Sequence, residues 1–197
     1  MQSIHENIKE YILKTARGVL IFPEDFNSFG SSEAVRLALH RLEKENTITR
    51  ISQGIYVRPI ISQYIGEVLP SAEEVAKGIA KRDRVKIVPT GVYALNALGL
   101  STQVPLNLVY LTDGAPRIIK VGKRTIRFKK TTPKNLLAKG EISSLVIQAL
   151  REIGIDKITI NEEKKIIELL EGEDRSNLLH DIQLAPVWIK KIMQKAL

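Results

Sequence analysis

The sequence predicts an α+β protein: a small N-terminal module of helices closed by a β-hairpin, then a mixed α/β domain with a basic hairpin and a helical C-terminal tail. Three observations carry this. The segment "SSEAVRLALHRLEKEN" sets apolar residues at helical spacing and is followed at once by "ITRISQGIYV", two short β-branched runs about a glycine turn. The segment "PRIIKVGKRTIRFKK" alternates apolar and basic residues about a second glycine turn. From Glu141 onward helical periodicity continues to the C-terminus, broken at Gly154, Gly172 and Pro186.

Composition bounds the function classes. The chain has 197 residues, 44% hydrophobic, which is enough for two domains, read here as 1–60 and 61–197. The absence of cysteine excludes disulfides, thiolate metal sites and cysteine nucleophiles. No apolar run approaches the length of a membrane span and "MQSIHENIKEYILK" lacks a signal-peptide core, so a cytoplasmic protein with no membrane partner is expected. The formal charge is +8, and its distribution is uneven. Residues 1–60 carry eight Lys/Arg against seven Asp/Glu, whereas 117–130 carry seven bases and no acid. A stretch of that kind suits a polyanionic or acidic partner.

The elements follow in order. Ile4, Ile8, Tyr11, Ile12 and Ala16 recur at helical spacing from Ser3 to about Thr15, and Gly18 breaks the pattern. "VLIFPEDF" is an apolar run stopped by Pro23, which suits the first turn of a short helix. Ser31 is the expected N-cap of the next helix, whose Val35, Ala38, Leu39 and Leu42 form one stripe. That helix is expected to end near Asn46. Ile48–Ile51 and Ile55–Val57 then make a hairpin about Ser52-Gln53-Gly54, with Arg50 and Arg58 flanking it.

Helix, short helix, capped helix and two-stranded wing is the order of a winged helix-turn-helix. The third helix of such a module enters the major groove and the wing lies along the flanking backbone. Helical steps of 100° turn Glu33, Arg36, Leu37, His40 and Lys44 away from the apolar stripe, with Ser32 and Arg41 on its shoulders. Arg36 suits a guanine edge, because its fork of donors matches two acceptors there. Leu37 is out of place on that face unless it packs under the wing or meets a thymine methyl. Arg50 and Arg58 are the expected phosphate contacts, with the small polar Ser52 and Gln53 at the wing tip.

Beyond Pro59 the character changes. "ISQYIGEVLP" reads as a connector, and Ser71 with Glu74 opens a helix with capping-box spacing. "RVKIVP" and "NLVYLT" read as strands on either side of "TGVYALNALGLS", a helix expected to be capped by Thr90 and closed by Gly99. In the basic hairpin, Ile119, Val121, Ile126 and Phe128 share one face and Lys120, Thr125, Arg127 and Lys129 the other, with Ile118 the exception on the polar side. Arg117, Lys120, Lys123, Arg124, Arg127, Lys129 and Lys130 are the candidate partner-binding residues. Trp188 is expected in the core.

Catalytic chemistry finds little support. His5, His40 and His180 stand far apart and none has a metal-motif neighbour, so no metal or cofactor is expected. Gly30-Ser31 matches the opening of a nucleotidyltransferase signature, but the D-x-D pair that holds its metals is absent downstream. The carboxylates of "EGEDRSNLLHD" read as an exposed acidic loop rather than an acid/base pair with His180.

With "FGSSEAVRLALHRLEKENTITRISQGIYVRP" followed by "VKIVPTGVYALNALGLSTQVPLNLVYLTDGAPRIIKVGKRTIRFKKT", the chain resembles the AbiEi-type antitoxins of type IV toxin-antitoxin systems over most of residues 3–135. The resemblance rests on the order of elements. It implies a bifunctional protein that is not an enzyme. Its winged helix binds inverted repeats in double-stranded DNA upstream of its own operon and represses it; its C-terminal domain counteracts a nucleotidyltransferase-like toxin, directly or through the toxin's RNA target. The positions that match are Ser31, Ser32, Arg36, Arg41 and Lys44 on the third helix and Arg50, Ser52, Gln53 and Arg58 on the wing. The alternative is a protein- or RNA-binding scaffold whose basic hairpin contacts an acidic partner without reading DNA sequence. No heptad seam decides the oligomeric state; a monomer in solution that binds DNA cooperatively is expected.

Overall fold

The computed structural model describes residues 3–197. It is a mixed α/β protein, and among the described residues it has eight α-helices and three small sheets. The chain divides into two compact units: one runs to Gly78 and includes Lys120–Gly122, and the other comprises Ile79–Ile119 and Lys123–Leu197.

The first unit begins with α1 (Ile4–Lys14), opened by a capping box in which the Ser3 hydroxyl accepts from the Glu6 amide and the Glu6 carboxylate accepts from Ser3. A two-residue strand, β1 (Leu20–Ile21), and a 3-10 turn at Pro23–Phe26 lead to α2 (Ser32–Lys44). Ile8 and Ile12 of α1 pack with Phe26 and with Val35, Leu39 and Leu42 of α2, all essentially buried. Burying each such side chain contributes roughly 1.5–3 kcal/mol. The expected hairpin is present as β2 (Thr49–Ser52) and β3 (Ile55–Val57), with Gly54 at φ +68° in the turn and a bulge between Arg50 and Ser52. β1 adds to the other edge of β3 through Leu20↔Val57 and Ile21↔Tyr56, so the hairpin belongs to a three-stranded sheet. A lone hairpin would be only marginally stable.

The stretch expected to be a connector is instead a second hairpin, β4 (Ile60–Ser62) paired with β5 (Gly66–Val68). The Thr49 hydroxyl of β2 donates to Glu67 of β5 at 3.1 Å. α3 (Ala72–Asp83) starts with the Ser71/Glu74 capping box: the Ser71 amide donates to Glu74 at 2.7 Å and the Glu74 amide to the Ser71 hydroxyl at 3.2 Å.

The second unit is built on β6 (Ile87–Pro89), β7 (Asn107–Thr112), β8 (Arg117–Val121) and β9 (Arg124–Lys130), apart from Lys120 and Val121 at the end of β8, in the spatial order β6-β7-β9-β8. β6 is antiparallel to β7, and β7 runs parallel to β9 over six residue pairs, Asn107↔Thr125 to Thr112↔Lys130. Sequence periodicity does not reveal that parallel pair. α4 (Val92–Ala97) differs from expectation at its start: its N-cap is Gly91, at φ +62°, and no side chain caps it, so Thr90 does not. Gly99, at φ +64°, follows its end as expected.

The tail forms α5 (Glu141–Ile153), α6 (Ile160–Glu171), α7 (Arg175–Ile182) and α8 (Val187–Met193). α5 supplies the centre of the core, where Val146, Ala149 and Leu150 meet Ala94, Ile166 and Leu170. Trp188 packs against this cluster while partly exposed.

The acidic stretch "EGEDRSNLLHD" is not an exposed loop. Asp181 is fully buried and accepts hydrogen bonds from the Lys139 and Gly140 amides and, at 2.5 Å, from the Ser143 hydroxyl. Glu173 accepts from the Ile142 and Ser143 amides at 2.9 and 3.0 Å. α5 starts at Gly140, which has no side chain to cap it, and its first amides find these two carboxylates instead. Glycine is required there, because a Cβ would strike the Glu173 carboxylate and the Ser143 hydroxyl.

Candidate nucleic-acid interface

Two surfaces hold the residues singled out in the sequence, one in the first unit and one, apart from Lys120, in the second. The first is the outer side of α2. The Ser31 hydroxyl accepts the Ala34 amide at 3.3 Å and fixes the helix start. Burial of Val35, Ala38, Leu39 and Leu42 leaves Ser32, Arg36, His40, Arg41 and Lys44 in solvent. Arg41 and Lys44 make no ion pair within the described residues, and His40 Nδ1 lies 3.6 Å from Glu43. Glu33, on the same face, is held below the usual carboxylate range by its own backbone amide first, then by the Ser32 hydroxyl, with Arg36 adding a smaller electrostatic contribution. A negative charge therefore sits at the start of the stripe. Leu37 is 51% exposed and does not pack under the hairpin.

On the β2–β3 hairpin, Arg50 and Gln53 are exposed and Ser52 is half-buried. Arg50 Nε donates to the Ser52 carbonyl at 3.3 Å, which bends its side chain toward the turn. Arg58 departs from expectation. Its guanidinium donates to the Leu13 carbonyl at 2.8 Å and the Thr15 carbonyl at 3.2 Å, so it closes the C-terminal end of α1 instead of standing free beside the turn. Nothing local in "YVRP" signals this, because the acceptors lie more than forty positions away in sequence.

The second surface is the β8–β9 hairpin. Ile126 and Phe128 point into the core and Arg127 and Lys129 out of it, as the alternation predicts, and Ile118 is 58% exposed on the outer side. Lys120, Lys123, Arg124, Arg127, Lys129 and Lys130 are exposed, and none has a carboxylate partner among the described residues. Arg117 is different. It pairs with the Asp83 carboxylate, which also accepts from Arg82 at 2.8 Å, and its guanidinium lies 5.3 Å from the Phe128 ring centroid. Burial pushes the Asp83 carboxyl up, but the hydrogen bonds and charges of Arg82 and Arg117 outweigh it and hold the group below its ordinary value. Arg117 is thus half-buried and committed to the fold, unlike its six basic neighbours.

The pairing of Asp83 with Arg117 and the carboxylate caps of α5 escaped sequence reasoning. Their only sequence signal is an acid separated from its partner by thirty or more positions. No three His, Asp or Glu side chains gather as metal ligands among the described residues. Nor is any described helix long and apolar enough to cross a membrane.

Residues 7–178 match the model of DUF6088, a family of unknown function. No curated protein matches the chain.

Proposed function

The chain belongs to this family of unknown function, and we propose that it is a DNA-binding transcriptional autoregulator and the antitoxin of a type IV toxin-antitoxin system. In this reading the first unit carries a winged helix-turn-helix, with α2 as recognition helix and β2–β3 as wing. The second unit counteracts a nucleotidyltransferase-like toxin, the protein is not itself an enzyme, and it works in the cytoplasm.

The observation that carries the reading is the two-sided character of α2. One face is fully committed to the core, and the opposite face offers Arg36, His40, Arg41 and Lys44 to solvent, with the hairpin that bears Arg50 following it directly in sequence. A helix anchored by four buried residues is held rigidly, and rigid presentation of a few donors is what base readout in a major groove requires. Pairing of β1 into the hairpin supports the wing in the same way. For the antitoxin half, the support is the resemblance in order of elements to AbiEi-type antitoxins.

Fluorescence anisotropy of the full chain against duplex DNA from upstream of its own gene, and against a scrambled duplex, tests the proposal. Native DNA should bind roughly a thousandfold more tightly, with affinity falling steeply with salt. Arg36→Ala should relax the preference at one base pair, whereas Arg50→Ala should weaken both duplexes alike and lower the salt slope by about one. Equal, weak binding to both duplexes overturns the reading.

A further inference from the structure

Of the described chain, the stretch 114–140 is the most one-sided in charge: nine Lys/Arg and no Asp or Glu. We infer that the outer face of the β8–β9 hairpin is a second nucleic-acid site, which binds the phosphodiester backbone of a strand without reading its sequence. The surface borders a shallow groove lined by Pro116, Arg117, Ile118, Arg127, Phe128, Lys129 and Lys130.

The geometry suits a repeating anion. Arg127 and Lys129 are two residues apart on one face of β9, so their stems leave the sheet about 6.6 Å from one another. Lys130 extends the row at the strand end. Arg117, held by Asp83 and the Phe128 ring, is turned to the other face of the hairpin and is not part of the row.

Some exposed lysines elsewhere are neutralised locally. Lys14 pairs with Glu10 and Lys77 with Glu73. Arg127, Lys129 and Lys130 have no such partner among the described residues, and a row of unpaired like charges repels itself until a polyanion covers it.

The same residues argue against an acidic protein as the partner. The centre of a protein interface is depleted in lysine and built around buried aromatic anchors. Here the aromatic ring at the groove, Phe128, is only 2% exposed, and Ile118 is the groove's well-exposed large apolar side chain. With no exposed ring to stack a base, the contact is with backbone charge, hence sequence-independent and steeply salt-dependent.

The test uses the full chain and fluorescein-labelled oligonucleotides of about 20 nucleotides: oligo-uridine RNA, oligo-thymidine DNA, and a duplex unrelated to the upstream region, at about 50 and 200 mM salt. The triple variant Arg127→Gln/Lys129→Gln/Lys130→Gln should lose at least about tenfold in affinity, and its log–log salt slope for single strands should become shallower by about two. A charge-matched control, Lys157→Gln/Lys164→Gln/Lys191→Gln, removes three exposed lysines elsewhere and should leave both quantities nearly unchanged. Lys129→Glu alone, at an exposed position, should show the same direction of effect and covers the case of a triple variant that folds poorly. Preference for RNA over both DNAs assigns the strand to RNA, and equal binding assigns it to any phosphodiester backbone; both outcomes uphold the site. Equal losses in the hairpin and control variants overturn it, because total charge then suffices. Displacement of oligo-uridine by poly-glutamate as effectively as by unlabelled RNA also overturns it, in favour of an acidic protein. Failure of promoter discrimination with this binding intact defeats the autoregulator reading alone.

Discussion

The Arg58 guanidinium donates to the Leu13 carbonyl at 2.8 Å, joining residues 45 positions apart. Its second bond, to the Thr15 carbonyl at 3.2 Å, lies at the same helix end. The last carbonyls of a helix have no intrahelical donor and carry the negative end of its dipole, so a guanidinium there satisfies both needs. Arg58→Ala should therefore lower the unfolding free energy by about 1–2 kcal/mol and leave the salt slope of the proposed DNA binding unchanged. Chemical denaturation and anisotropy on the same variant check this. A salt slope lower by about one with stability intact would return Arg58 to the phosphate contacts.

Asp181 gives the second unit a defined response to acid. Burial raises its carboxyl pKa, but hydrogen bonds from the Ser143 hydroxyl and from His180, followed by those from the Lys139 and Gly140 amides, prevail, and the folded value lies below the ordinary one. Its contribution to stability is therefore complete above the unfolded value of about 3.9 and is lost as pH falls through the folded value. Asp181→Ala leaves two amides and a hydroxyl without an acceptor and should cost about 3 kcal/mol or more at neutral pH. Its stability should also fall less than the wild type's between about pH 5 and 2. Parallel pH–stability curves for the two proteins would refute this role.

Gly54 isolates the backbone cost of the β2–β3 turn. It sits at φ +68°, and a Cβ added there meets no atom within 4 Å. Gly54→Ala should therefore cost about 1–2 kcal/mol from left-handed backbone alone, while Gly54→Asn, whose side chain tolerates that region, should cost less. Thermal melts of both variants measure it; an alanine variant as stable as wild type would mean that the turn relaxes to another type.

What the sequence revealed and concealed divides by the range of the interaction. The α2 stripe, the Ser71/Glu74 cap and the inward-facing Ile126 and Phe128 follow from spacings of two to four residues, which local geometry sets. Arg58 on α1, Asp181 at the start of α5 and the β7–β9 pair depend on contacts between distant segments, on which periodicity is silent. For the candidate interfaces this means that exposure was legible from pattern, whereas the commitment of Arg58 and Arg117 to the fold was not. Thr90 failed as a cap for a local reason: Gly91 takes the N-cap position with φ +62°. "ISQYIGEVLP", read as a connector, forms the β4–β5 hairpin instead, with Tyr64 and Ile65 94% and 76% exposed at its tip.

That exposure yields the last prediction. An apolar side chain stabilises a fold through the area it removes from water, and Tyr64 and Ile65 remove little. Tyr64→Ser and Ile65→Ser should each change the unfolding free energy by no more than about 0.5 kcal/mol. Leu39→Ala, at a position with no exposed surface in the α1–α2 core, should cost about 2–5 kcal/mol. Urea denaturation of the three variants gives the comparison directly. If either serine variant loses more than about 1 kcal/mol, the β4–β5 tip is covered in solution, and the concentration dependence of that loss would tell packing within one chain from packing between two.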